Sequence, residues 1–236
     1  MTRVLNPNAE KNGRMVWNTG YLGQRCGARP AAPDDLFPDA YFVEQGPAVV
    51  LPPHFHRENE FQAVLLGGGT FGNEAVRAFS VHYAGAYTPY GPITAGPDGI
   101  GYMTMRARYD PGARTMPFAL DELRAAGRAQ RDFVSEDLPV ALAPGATAPE
   151  CVTVFERQAD GLAAWLYKLP PGTAATGPDP AGGGGQFWVV LDGELRSSDG
   201  TALPPRSCVF VSAEEAAQRV EASTAPLAVL AVQFPV

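Results

Sequence analysis

Histidine is nearly missing from this chain: there are three in 236 residues. Cysteine is as sparse, and Cys26, Cys151 and Cys208 are odd in number and far apart. That excludes a disulfide framework or a cysteine metal cluster, leaves each as a small apolar filler, and points to a reducing, cytoplasmic setting. No segment approaches the ~20 apolar residues that span a bilayer, and residues 1–8 lack the apolar core of a targeting peptide. Positive charge is also short. The net charge is -7 with no basic stripe, which argues against nucleic acid or an anionic membrane as partner.

Glycine and proline, at 26 and 23, are plentiful, and they favour many turns and short strands over long helices. Residues 1–40 read as a polar, turn-rich arm in which Pro30, Pro33 and Pro38 break regular structure. Short apolar runs follow at 48–51, 61–66, 78–81 and 101–106, the pattern of an antiparallel sandwich or barrel. The spacing predicts one helix over 120–131, with Asp121 and Glu122 in its first turn as the macrodipole favours. Further strand-like runs lie at 151–155, 163–167, 186–191, 207–211 and 227–234. The two blocks align: Phe61 to Gly67 follows Glu60 as Phe187 to Gly193 follows Gln186. Pro180 and Gly182 then stand where His54 and His56 do, so the chain reads as a duplicated fold with one copy stripped of its ligands. The run 182–185 is all glycine but lacks the lysine and helix start of a phosphate cradle, and reads as a flexible turn.

The scarce histidines sit together. His54 and His56 are two apart, Glu60 follows, and His82 ends a second strand-like run at 75–83. Residues at i and i+2 of a strand share a face, so His54 and His56 project together, with Glu60 and Gln62 at the same parity after a turn at 57–59. Such pairs also occur as ordinary half-buried polar residues. Economy favours a metal, because the chain spends no histidine elsewhere. Three imidazoles and a carboxylate suit Fe, Mn, Ni, Cu or Zn, with one or two positions left open. Gln62 stands beside the expected centre as a group that orients a histidine or a bound ligand. Tyr83, Tyr87, Tyr90, Tyr102 and Arg106 are candidate substrate contacts, tyrosine offering a flat face with a hydroxyl and Arg106 a carboxylate clamp. For each tyrosine packing is the readier explanation, and an exposed strand position explains Arg106 as well.

His54-x-His56-x-x-x-Glu60, six residues and then Gly67, matches the first motif of the cupin superfamily, and His82 stands where the second-motif histidine falls. The chain therefore resembles a two-domain cupin, or bicupin. It departs from the pattern at Ala48, where the first motif has glycine, at Arg77-Ala78-Phe79, where the second has Pro-x-Gly, and at Ala86 in place of asparagine. The resemblance implies an all-β fold of two double-stranded β-helix (jelly-roll) barrels with a short connecting helix. The arm would be 1–40, the metal-binding barrel 41–118, the helical connector 119–149 and the degenerate barrel 150–236. It implies a divalent transition metal, iron first, held by His54, His56, Glu60 and His82. The expected activity is a metal-dependent oxidoreductase of dioxygenase type, ahead of decarboxylation or isomerisation of a small molecule. Glu60 or a metal-bound hydroxide would move protons, and Gln62 with one tyrosine would position the substrate. The alternative is a non-catalytic binding protein. Cupins often pair, so a homodimer is expected.

Overall fold

Short apolar runs bury themselves only by pairing with one another, and here they do so in two sets. The computed structural model describes residues 36–196 and 202–236, together with the backbone of two earlier strands. Cys26 lies outside the described residues. The chain divides into two compact units, one reaching Asp137 and the other running from Leu138 to Val236.

The first unit contains β1 (Asn8–Lys11), β2 (Arg14–Asn18), β3 (Leu36–Gln45), β4 (Val50–Leu51), β5 (His54–Phe55), β6 (Glu60–Phe71), β7 (Glu74–Arg77), β8 (Val81–Ala84), β9 (Ile93–Arg108), β10 (Arg114–Thr115), the helix α1 (Leu120–Ala126) and β11 (Asp132–Val134). The main sheet runs β1-β2-β3-β9-β6-β8-β11, with β4 on β9 and β7 on β6, while β5 pairs with β10. Val43, Val64, Phe71, Ile93 and Ile100 anchor its core. Three local expectations are corrected. The helix stops at Ala126 because Gly127 takes the left-handed conformation, φ 57°, and residues 132–134 pair with β8 instead. Pro38 lies inside β3, tolerated where the register slips between Leu36 and Asp39. Residues 78–80 form the turn between β7 and β8 and are not strand.

Two departures from the motif fall at positions of positive φ. Ala48 (φ 58°) and Phe79 (φ 73°) adopt the left-handed conformation that the motif assigns to glycine, at a cost that only a well-determined turn sustains.

The second unit contains β12 (Glu150–Phe155), β13 (Ala163–Leu169), β14 (Ala174–Thr176), a 3₁₀ turn (Pro180–Gly182), β15 (Gln186–Asp192), β16 (Leu195–Arg196), β17 (Ala202–Leu203), β18 (Cys208–Val211), β19 (Arg219–Glu221) and β20 (Leu227–Gln233). Its main sheet, β12-β13-β20-β15-β18, repeats the path β2-β3-β9-β6-β8 of the first unit. The motif glycine is repeated too. Gly67 (φ 61°) and Gly193 (φ 78°) end equivalent stretches, and a Cβ on either would lie 2.2 Å from the Gly99 carbonyl oxygen or 2.0 Å from that of Pro226.

Candidate functional site

Alternate residues of β3, β9, β6 and β8 face the interior of the first barrel, and the register arranges them in rows. Asp39 lies opposite Arg106, and Tyr41 opposite Thr104. Thr104 lies opposite Gln62, and Gln62 opposite His82. Phe61 faces Met105, which brings Glu60 beside Arg106. With His54 and His56, the inward groups of β3, β6 and β9 wall a cavity of about 580 Å³, closed further by Tyr90, Tyr102 and Asp110.

The polar groups of that wall satisfy one another closely. Asp110, in the turn after β9, accepts from His56 Nδ1 at 2.8 Å and from the Arg57 amide at 2.9 Å. His56 therefore turns its Nε2 lone pair inward, where Arg106 Nη2 donates to it at 3.2 Å. The same Nη2 donates to Glu60 Oε2, and Nη1 donates to the Tyr41 hydroxyl at 3.0 Å. On the other side, Tyr90 donates to Glu60 Oε1 at 2.6 Å and lies 3.0 Å from His54 Nε2. His54 Nδ1 donates to the Pro52 carbonyl at 2.9 Å. Arg106 Nε is buried with no hydrogen-bond partner among the described residues.

These contacts set the charges. Burial works to raise the Glu60 carboxyl, but Arg106 and then His56 outweigh it and hold the group below its usual range. Burial opposes the Arg106 charge too, yet Glu60 holds that guanidinium well above its usual value. Both directions describe an ionised pair. Burial pushes His54 down, so its imidazole is neutral at neutral pH. A neutral His54 whose Nδ1 donates to a carbonyl has only a lone pair at Nε2. Burial and Glu60 hold the Tyr90 phenol well above its usual value. Its single proton thus lies between two acceptors, Glu60 and His54. Burial also raises the Asp39 carboxyl against the pull of Arg106. Burial works to raise Asp110 as well, but the hydrogen bond from His56 leads in outweighing it and the carboxyl is lowered.

His54, His56, Glu60, Gln62, Tyr90, Tyr102 and Arg106 all line the cavity. His82 is buried behind it, with Nδ1 on Gln62 Oε1 at 2.7 Å and Nε2 on Asp132 Oδ1 at 2.8 Å, and its ring packs 4.8 Å from that of Tyr90. Tyr83 alternates with His82 and so points to the opposite face, where it donates to Asn59 Oδ1 at 2.9 Å. Tyr87, at φ 60° in the following loop, packs on Phe55. Neither tyrosine reaches the cavity. Sequence reasoning missed Asp39, Tyr41 and Asp110. The first two share parity in one strand, and Asp110 opens an Asp-Pro-Gly turn signal, but only the register joins them to the histidines.

A metal was expected here, and the donor set tests it. Among the described residues no group of three or more His, Cys, Asp or Glu side chains is placed to hold an ion. The geometry says why. His56 Nε2 and Glu60 Oε2 both face the Arg106 guanidinium, and Glu60 Oε1 and His54 Nε2 both face the Tyr90 hydroxyl. A divalent ion about 4 Å from that guanidinium would meet a repulsion on the order of 8 kcal/mol at an effective dielectric of ~20. As arranged, these residues do not fit a bound metal.

The second barrel has the same rows with the chemistry removed. Gln186 faces Gln233, and Trp188 faces Ala231. Ala163 faces Gln233, and Trp165 faces Ala231. Val209 faces Trp188, as His82 faces Gln62. Gln186 Nε2 donates to Gln233 Oε1 at 2.9 Å, and Trp188 Nε1 donates to Gln186 Oε1 at 3.0 Å. Gln233 also reaches the Gly161 carbonyl at 2.6 Å and that of Gly182 at 3.3 Å. The glycine run therefore lends a carbonyl to the barrel centre and is not a loose turn.

No family model matches the chain, and no curated protein matches it. Solved structures do. Oxalate decarboxylase from Bacillus subtilis at pH 4.6 matches with a TM-score of 0.61 and 14% identity, over 100% of this chain and 76% of that one. A further oxalate decarboxylase structure gives 0.60, 13%, 100% and 78%. The Lactobacillus farciminis oxalate decarboxylase formate complex gives 0.61, 13%, 98% and 84%. Likeness at this identity concerns the fold alone, which is a pair of cupin-type all-β barrels.

Proposed function

We propose that this bicupin is an enzyme acting on a small organic acid in its first barrel, by electrostatic anchoring and proton transfer. The observation that carries the reading is Arg106: buried, ionised, in the cavity wall, with one N–H unpartnered among the described residues. A guanidinium in that wall offers a small carboxylate an ionic anchor. Around that anchor, Tyr90 holds a proton with two acceptors for neighbours, the arrangement of a short relay.

Decarboxylation is the reaction class preferred here, ahead of the dioxygenation expected from the sequence. One consideration supports it: solved structures similar to the chain include oxalate decarboxylases. Loss of CO₂ from a bound carboxylate leaves an electron pair on carbon. Tyr90 would protonate that carbon, and a proton from solvent, carried in on the lone pair of His54 or Glu60, would restore the phenol. Gln62, donating to the Tyr90 oxygen at 3.4 Å, would steady the phenol while it carries charge. The cavity holds a molecule of modest size, and its tyrosines offer flat apolar walls.

The test is a panel of small mono- and dicarboxylates, oxalate and formate among them, with CO₂ release and O₂ uptake followed in one vessel. CO₂ release without O₂ uptake, abolished in Tyr90→Phe, is expected. O₂ uptake in step with turnover would restore the dioxygenase reading. Saturable binding with no product would leave a binding protein, which the mutual satisfaction of the wall residues favours as the second reading.

A further inference from the structure

Arg106 has a second property, separate from whatever the barrel turns over. We infer that its guanidinium is the resident cation of the first barrel, occupying the seat in which the cupin histidine–carboxylate motif would place a divalent metal.

Three observations carry this. First, one guanidinium nitrogen engages two of the motif donors together, His56 Nε2 and Glu60 Oε2, while Asp110 fixes His56 in the tautomer that presents its lone pair to that nitrogen. Second, Arg106 is held in place from its far side. Tyr41 accepts from Nη1 at 3.0 Å, its ring lies 5.5 Å from the guanidinium carbon, and the strand register sets Asp39 beside it. Third, the degenerate barrel treats the same two positions in the same way. Gln186 stands for Glu60 and Gln233 for Arg106, and these two residues bond directly across the strands. In both halves the strand that begins after the motif turn is tied through its first inward side chain to the last inward side chain of a neighbouring strand. One tie is an ion pair and the other an amide pair, and neither needs an ion from solution.

The geometry therefore assigns the ligand motif a new partner. Its carboxylate is neutralised from within the chain, and the wild-type protein keeps its centre assembled without a divalent metal.

Metal uptake tests this independently of turnover. Wild type, Arg106→Met and Arg106→Gln are freed of metal by chelation and dialysed against Co²⁺, Mn²⁺ and Zn²⁺. Bound metal is then measured by elemental analysis, Co²⁺ by its visible absorption, and melting temperature with and without EDTA. The wild type is expected to retain no stoichiometric metal and to melt identically with and without EDTA. A folded Arg106 variant is expected to take up about one equivalent of Co²⁺, with a rise in melting temperature from ligand linkage, and to lose it when His56→Ala is added. Wild type that takes up about one equivalent, abolished by His56→Ala, overturns the inference. So does a folded Arg106 variant that, like the wild type, takes up none, because the seat would then not be one for a cation. Should neither variant fold, the wild-type uptake decides alone. A failed carboxylate panel would leave these outcomes unaffected.

Discussion

Glu60 and Arg106 are each worth more as a pair than alone. Truncating Glu60 to Ala strands a buried guanidinium, and the expected loss of stability is ~3–5 kcal/mol by chemical denaturation. Replacing both by leucine should recover most of that loss, since an apolar pair of similar volume often equals a buried ion pair. At the surface the scale is smaller. Arg57 donates to Glu122 Oε1 at 2.6 Å and Arg114 to Oε2 at 2.8 Å, and the hydrogen bond from Arg57 leads in holding the Glu122 carboxyl below its ordinary value. A depressed carboxyl stabilises the fold above its unfolded pKa and stops doing so as pH falls through its folded pKa. The gap in melting temperature between wild type and Glu122→Gln should therefore be present at pH 6, worth at most ~1 kcal/mol for a pair at the surface, and shrink as acidification carries the pH through the lowered folded-state pKa. His54, His56 and Glu60 were legible in the sequence because strand parity writes convergence into their spacing. Arg106 was legible only as a clamp. Its place on Glu60 follows from the β6–β9 register between residues 46 positions apart, which no local pattern encodes.

Strands and turns were read with uneven success, for physical reasons. Apolar runs marked β6, β9, β13, β15 and β20 well, since burial on both faces leaves an unbroken hydrophobic signature, as β15 and β20 show. The arm was read as irregular, whereas residues 14–18 pair with β3; a partner elsewhere in the chain outweighs weak local preference. The turn at Ala48 combines an exposed alanine with φ 58°. Ala48→Gly should relieve ~1–2 kcal/mol of left-handed strain, less ~0.4–1 kcal/mol for the greater freedom of the unfolded chain. A net gain of up to about 1.6 kcal/mol, read as a modest rise in melting temperature, is expected. No gain would mean that the turn is stabilised by something other than backbone preference.

Across the whole molecule, two barrels share one plan, and one has exchanged chemistry for closure. Where the first barrel places Tyr41, Thr104, Gln62 and His82 in a row, the second places Trp165, Ala231, Trp188 and Val209. Its centre is an amide pair with every polar atom of Gln186 engaged. Gln233→Leu should cost ~1–3 kcal/mol through the partners it abandons, and leave carboxylate binding by the first barrel unchanged. Equilibrium unfolding and calorimetric titration of the same sample would check both halves of that expectation. The Tyr90 hydroxyl, with its one hydrogen between an oxygen and a nitrogen, carries a consequence of another kind. The interior can change which side chain bears the charge while every heavier atom stays where it is. X-ray maps of the two tautomers would superpose, and neutron diffraction on deuterated crystals would be the method that tells them apart.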